Sequence, residues 1–258
     1  HIDVPGTPVA DGYALFASAI PEVATAQIDG TFSLKATLEL PSKQLRVQPR
    51  LDGMAVSGLG TETWAQAQSQ CNRDLPAVMV RAHVRNDSLL ARAVLAAEDQ
   101  RFYEHPGYDL VEMGKALRSN QAEDATLRGA STLSQQVAKL LVTGGERSPV
   151  RKLRELLYAV EMEQTLGKAR ILQLYLSHAP WGATVCGAQA AAHTYFGKRA
   201  DQLSAAEAVW LAAMLHNPAL EAQRWRARGS INLERAQWVA AGLRPLRRPG
   251  RGEEGGQL

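Results

Sequence analysis

The amino-acid sequence predicts a mainly α-helical protein preceded by a small β-rich N-terminal segment. Three observations carry that prediction. Residues 31 to 40 alternate apolar and polar side chains with a period of two. From about residue 72 the apolar spacing turns helical and stays so. Helix-start signals then recur, with Asp87 or Ser88, Asp109 with Glu112, and Ser204 with Glu207 each standing before an apolar run. The β-rich segment is assigned to residues 1–70, a helical domain to 71–222, and a basic C-terminal helix with a disordered tail to 223–258.

In the first segment Phe32, Leu34, Ala36, Leu38 and Leu40 share one face and Thr31, Ser33, Lys35, Thr37 and Glu39 the other, the pattern of a half-buried strand. Pro41 to Gln44 reads as a turn, and Leu45, Val47 and Met54 to Val56 suggest further strand. Leu89 to Ala97 holds good helix formers and ends at Glu98. Gly129 to Leu141 reads as a tight turn running into a helix. Arg151 opens a long helix with the apolar stripe Leu153, Leu156, Leu157 and Val160. Trp181 to Ala188 is loop-like and feeds a helix over Ala190 to His193, where His193 reads as a packing residue. Asn217-Pro218 stops the apolar helix that ends at Leu215.

A chain of 258 residues has room for a sizeable core. Its net charge of +3 gives no broad basic surface, so nucleic acid is not an expected partner. Anion binding has to come from local clusters such as Arg224, Arg226 and Arg228 or Arg244, Arg247 and Arg248. The two cysteines, Cys71 and Cys186, lack metal-ligand spacing and fit either a disulfide or two buried thiols. Neither a signal peptide nor a transmembrane run is read, and the chain is taken as an excised or mature segment whose membrane anchor lies elsewhere.

The chemistry concentrates in three clusters. Glu98 stands at the C-terminal end of an apolar helix, where the helix dipole and burial both disfavour its ionised form and so raise its basicity. On the helix after Gly129, Thr132, Gln136 and Lys139 fall on one stripe at i, i+4 and i+7. That row suits a sugar hydroxyl at one end and a phosphate at the other, or else a solvated polar face. Arg151 and Glu155 lie one turn apart, either as an ordinary surface pair or as a carboxylate kept anionic among Arg151, Lys152 and Arg154.

In this order and spacing, the clusters resemble the peptidoglycan glycosyltransferase domain of bifunctional penicillin-binding proteins and of monofunctional biosynthetic transglycosylases, glycosyltransferase family 51. The first motif of the family is matched by Glu98, Asp99, Phe102, His105 and Gly107. The second is matched by Gly129, Ser131, Thr132, Gln135, Gln136 and Lys139, and the third by Arg151, Lys152 and Glu155. Lys168, Ile171, Leu172, Tyr175 and Leu176 continue the pattern, and the likeness covers about residues 72 to 218.

The resemblance implies a lysozyme-like helical fold at the periplasmic, outer face of the cytoplasmic membrane, with lipid II and the nascent glycan strand as partners. Other proteins of cell-wall synthesis are further implied partners. It implies Glu98 as general base and Glu155 as a second catalytic carboxylate, supporting a diphosphate through Mg2+ or Mn2+. Asp99, Phe102, His105, Ser131, Thr132, Gln136, Lys139, Arg151 and Lys152 are implied substrate-binding residues. Leu110 to Arg128, the family's bilayer-dipping segment, here carries Lys115, Arg118, Glu123 and Asp124, so shallow insertion is expected. The loop at Trp181 to Ala188 has lost a glycine and an aromatic of the family pattern. The chain has no serial Ser-x-x-Lys, Ser-x-Asn and Lys-Thr-Gly triplet, so penicillin-reactive acyl transfer is not expected. The alternative reading is a weak or inactive relative that binds lipid II or peptidoglycan as an envelope-assembly module.

Overall fold

The computed structural model describes residues 1–39, 44–67, 84–119, 130–144 and 148–243. It opens with strand β1 (Ile2–Pro8), a short helix α1 (Val9–Ala14) and a hairpin of two long strands, β2 (Gln27–Glu39) and β3 (Gln44–Ser57). The strands form one antiparallel sheet in the order β1-β2-β3. A bulge between Asp29 and Thr31 is built on Gly30, whose φ of 107° and 2.7 Å clearance to the Met54 Cα admit no side chain.

The alternation marked the strand, but the face it defined is only partly covered. Ala36 is buried while Phe32 and Leu38 are 36% and 54% exposed. The reason is that the hairpin packs by its other end. Ile20, Met54 and Val56 are buried there with Val9 and Tyr13 of α1, against Leu157 and Val160. The turn residues 40–43 lie outside the described residues, as does the residue 68–83 junction where the boundary at 70 was placed.

The helical part runs through α2 (Leu89–Glu98), α3 (Leu110–Ser119), α4 (Leu133–Ala138), α5 (Pro149–Thr165), α6 (Gly167–His178), α7 (Ala188–Phe196), α8 (Ala205–Met214), α9 (Pro218–Arg228) and α10 (Leu233–Gly242). Ser88 caps α2 by accepting from the Ala91 amide. Ser204 and Glu207 form the complete reciprocal box expected of them. Asp109 makes half of its box: Oδ1 accepts from the Val111 and Glu112 amides, while Glu112 turns to Lys115. Asn217 ends one helix and caps the next, with Pro218 in its first turn.

Alanine-rich faces of α2, α7 and α8 close on one another, with Leu90, Val94, Leu172, Trp181 and Leu211 at their centre. Small side chains let these backbones approach closely. The boundary placed at residue 222 falls inside α9, and α10 adds Ala236 and Val239 to the same core, packing on α2 and α8. The tail from residue 244 lies outside the described residues, and with it Arg244, Arg247 and Arg248.

The loop at Trp181 to Ala188 has a defined shape despite its departures. Trp181 is fully buried and its indole N–H donates to the Leu211 carbonyl at 2.8 Å. Its backbone closes a Pro180–Cys186 bridge, and the Tyr195 hydroxyl donates to the Trp181 carbonyl. Cys186 is disulfide-bonded, and Cys71 lies outside the described residues. His193, expected to pack, is exposed near the end of α7.

Candidate active site

Glu98 is the last residue of α2, and its side chain is 12% exposed. Gln136 of α4 donates to Glu98 Oε2 at 2.9 Å, and the Tyr175 hydroxyl of α6 donates to the Gln136 carbonyl oxygen at 3.3 Å, which orients the amide. Glu98 Oε1 is buried with no hydrogen-bond partner among the described residues, and Arg235 of α10 stands 4.0 Å from it. Burial pushes the carboxyl above the usual carboxylate range, against the opposing pull of the Gln136 bond and of Arg235 and His216. The geometry is that of a basic carboxylate with one oxygen held and the other an unused acceptor.

Asp99, Phe102 and His105, expected substrate-binding residues, are buried and make their contacts within the protein. Asp99 accepts from the Leu133 amide at 2.8 Å and pairs with His105 Nε2 at 3.0 Å. Phe102 is covered by the Lys168 ammonium at 4.4 Å from its ring centre. Lys168 also bonds the His105 carbonyl and Glu163, which in turn accepts from Ser134. These contacts lock the turn after α2 to α4, α5 and α6 and so hold the backbone beside Glu98.

Thr132 is held within the protein as well. Its hydroxyl donates to the Gly107 carbonyl at 2.7 Å, and the same oxygen accepts from the Gln135 amide in a full capping box. It is 3% exposed and holds the start of α4. The stripe of Thr132, Gln136 and Lys139 therefore divides into a cap, a partner of Glu98, and an exposed lysine where α4 passes into a π-helical turn (Lys139–Thr143). Gly129 lies outside the described residues.

Glu155 sits in α5 with no exposed surface. Lys152 donates to its Oε2 at 2.5 Å and to the Ser131 hydroxyl at 2.8 Å, while Arg151 Nη1 stands 3.3 Å from Oε1. Arg154, expected in this group, binds Glu22 of the N-terminal segment instead. Arg151 Nε and Nη1 are buried donors without hydrogen-bond acceptors. Segment 131–139 thus joins the two carboxylates, meeting Lys152 through Ser131 and Glu98 through Gln136.

Glu155, the carboxylate expected to help hold Mg2+ or Mn2+, already faces Arg151 and Lys152, and among the described residues no three His, Cys, Asp or Glu side chains converge, so a divalent ion here would need the phosphate oxygens of a substrate as further ligands. Arg151 and Lys152 suit an anion better. Sequence reading did not place Arg235 or Tyr175 beside Glu98; Arg235 lies in a helix assigned to the C-terminal region, and Tyr175 was matched to the family pattern without a role.

A family model described as Transglycosylase matches residues 76–243. The chain is 42% identical over 160 residues to a biosynthetic peptidoglycan transglycosylase of Thiobacillus denitrificans, covering 61% of this chain and 68% of that protein. The protein of the same description in Chromohalobacter salexigens is 46% identical over 156 residues, covering 60% of this chain and 64% of the relative. That of Pectobacterium carotovorum is 44% identical over 159 residues, covering 61% and 64%. The chain thus spans about two thirds of the length of these relatives.

Proposed function

The chain belongs to the transglycosylase family, and from that membership we propose that it is a peptidoglycan glycosyltransferase that polymerises lipid II into glycan strands. The observation that carries the reading is Glu98, a largely buried carboxylate of raised basicity whose Oε1 has no hydrogen-bond partner among the described residues. A sugar hydroxyl supplies the missing donor. Glu98 takes the proton from the acceptor's 4-hydroxyl as that oxygen forms its bond to C1 of the donor sugar. The C1–oxygen bond to the diphosphate breaks, C1 inverts, and undecaprenyl diphosphate leaves with the electron pair. Arg151, Lys152 and the exposed Lys139 supply positive charge for the diphosphate, with Glu155 holding the first two in place. No step is assigned to a metal ion.

No described helix is long and apolar enough to cross a membrane. Contact with the lipid surface is proposed through α3, where Val111 and Met113 are 48% and 38% exposed beside the Glu112–Lys115 pair. The disulfide at Cys186 supports an oxidising compartment, in keeping with the periplasmic side of the membrane.

Polymerisation of labelled lipid II in detergent tests the reading, with the unmodified chain compared with Glu98→Gln. Glycan from the first and a loss of about 10²- to 10⁴-fold in the second is the expected result. No glycan from the unmodified protein refutes the function, and equal product from both removes Glu98 as the base.

A further inference from the structure

The family match begins at residue 76, yet the helix that carries Glu155 is gripped along its length by residues that precede it. Glu22, 7% exposed in the 3-10 turn Pro21–Ala24, takes a two-point bond from Arg154 at 2.6–2.9 Å and a hydroxyl bond from Tyr158 at 3.1 Å. At the residue before Arg154, the Tyr13 hydroxyl donates to the Leu153 carbonyl at 2.9 Å. Further along, Glu161 accepts from the Leu59 amide at 2.8 Å, and Trp64 stacks on Tyr158 at 5.2 Å. At 100° per residue, Arg154 and Tyr158 project from α5 within about 60–100° of Glu155. A rotation or slide of α5 that broke the Glu22 bonds would move Glu155, Lys152 and Arg151 with it.

We propose that residues 2–67 act as a brace on α5 and that Glu22 is its positioning residue, fixing the setting of the helix that presents Arg151, Lys152 and Glu155. Glu22 takes the Arg154 guanidinium, while Arg151 and Lys152 face Glu155. Burial works against the ionised form of Glu22, but the Arg154 bonds outweigh it and keep the carboxyl below its ordinary range. The pair therefore stays charged wherever the enzyme is folded and working. The catalytic half of this inference rests on the proposed glycosyltransferase activity; the mechanical half does not.

The test uses the full chain with two readouts. Amide hydrogen exchange is followed along Pro149–Thr165, and initial rates of glycan synthesis are measured over a range of lipid II concentrations. The variants are Glu22→Ala, Glu22→Gln and Arg154→Met, with Glu62→Gln as an exposed control on the same segment. Glu22→Ala and Arg154→Met are expected to speed exchange at residues 151–158 by about tenfold or more while α2 and α8 keep their rates. KM is expected to rise about three- to tenfold with a smaller change in kcat. Glu22→Gln, which keeps the shape and one acceptor, falls between, and the control moves neither readout. Unchanged exchange in α5 overturns the brace, as does faster exchange spread evenly over the chain, which reports lost global stability. Faster exchange confined to α5 with KM and kcat unaltered removes Glu22 as a positioning residue. If the unmodified chain makes no glycan, the activity reading fails while the exchange measurement still decides the brace.

Discussion

At the scale of single residues, the two glutamates are made different by what surrounds them. Glu98 has an amide on one oxygen and apolar helix around it; Glu155 has an ammonium and a guanidinium. A group whose folded-state pKa is raised by burial costs stability once ionised, a cost that grows as pH rises through its raised value and is absent below its unfolded value. Glu98→Gln is therefore expected to raise the melting temperature at neutral pH and to leave it little changed near pH 4, as thermal melts across that range would show. The same shift places the acid limb of the activity profile above the ordinary glutamate value of 4.5, because the working base must be deprotonated. A plot of kcat/KM against pH whose acid limb lies at the ordinary value contradicts this. Asp99→Asn, by weakening the buried bonds to His105 and the Leu133 amide, is expected to cost about 1–3 kcal/mol in denaturant unfolding and to lower activity through Glu98.

At the scale of elements, caps and close approaches decide what can be changed. Thr132 closes a capping box and also bonds Gly107, so Thr132→Val removes both and is expected to cost about 1–2 kcal/mol, read from urea midpoints. Gly187, at φ 85°, is where the loop turns into α7, and a Cβ there would stand 2.9 Å from the Ser177 carbonyl oxygen. Gly187→Ala, with φ 85°, ψ 144° and the close carbonyl both against it, is expected to destabilise more than an alanine change at the open Gly197, which is an ordinary left-handed helix end, as parallel melts of the two would show. The capping signals of these helices were plain in the sequence because a cap is a local interaction. The sharing of Thr132, Gln136 and Lys139 among three different jobs was not, because spacing gives the face of a helix and not what lies opposite it.

At the scale of the whole molecule, α5 belongs to two cores at once. Leu157 and Val160 are buried against the N-terminal sheet and α1, while Tyr158 and Met162 enter the main helical core. Unfolding is accordingly expected as one cooperative transition, checked by coincidence of far-UV circular dichroism with tryptophan fluorescence. Val56→Ala, on the sheet, is expected to lower the midpoint seen by both probes together. Two separated transitions would mean that the sheet and the helices are independent units.

The sequence by itself determined the β-rich start and helical remainder, the starts of the helices at Leu89, Leu110 and Ala205, and the two glutamates as candidates, since period, caps and motif spacing are written along the chain, whereas β1 and α1 left no such signal. It also made the raised basicity of Glu98 legible, because an acid ending a run of leucine, valine and alanine has little choice but burial. Only the tertiary structure decided that Asp99, Phe102, His105 and Thr132 turn inward, that Arg154 reaches Glu22, and that Arg235 approaches Glu98. These pairings join residues far apart in the chain, and no local preference encodes which long side chain finds which distant acid. The packing of α5 between the sheet and the helical core makes those choices.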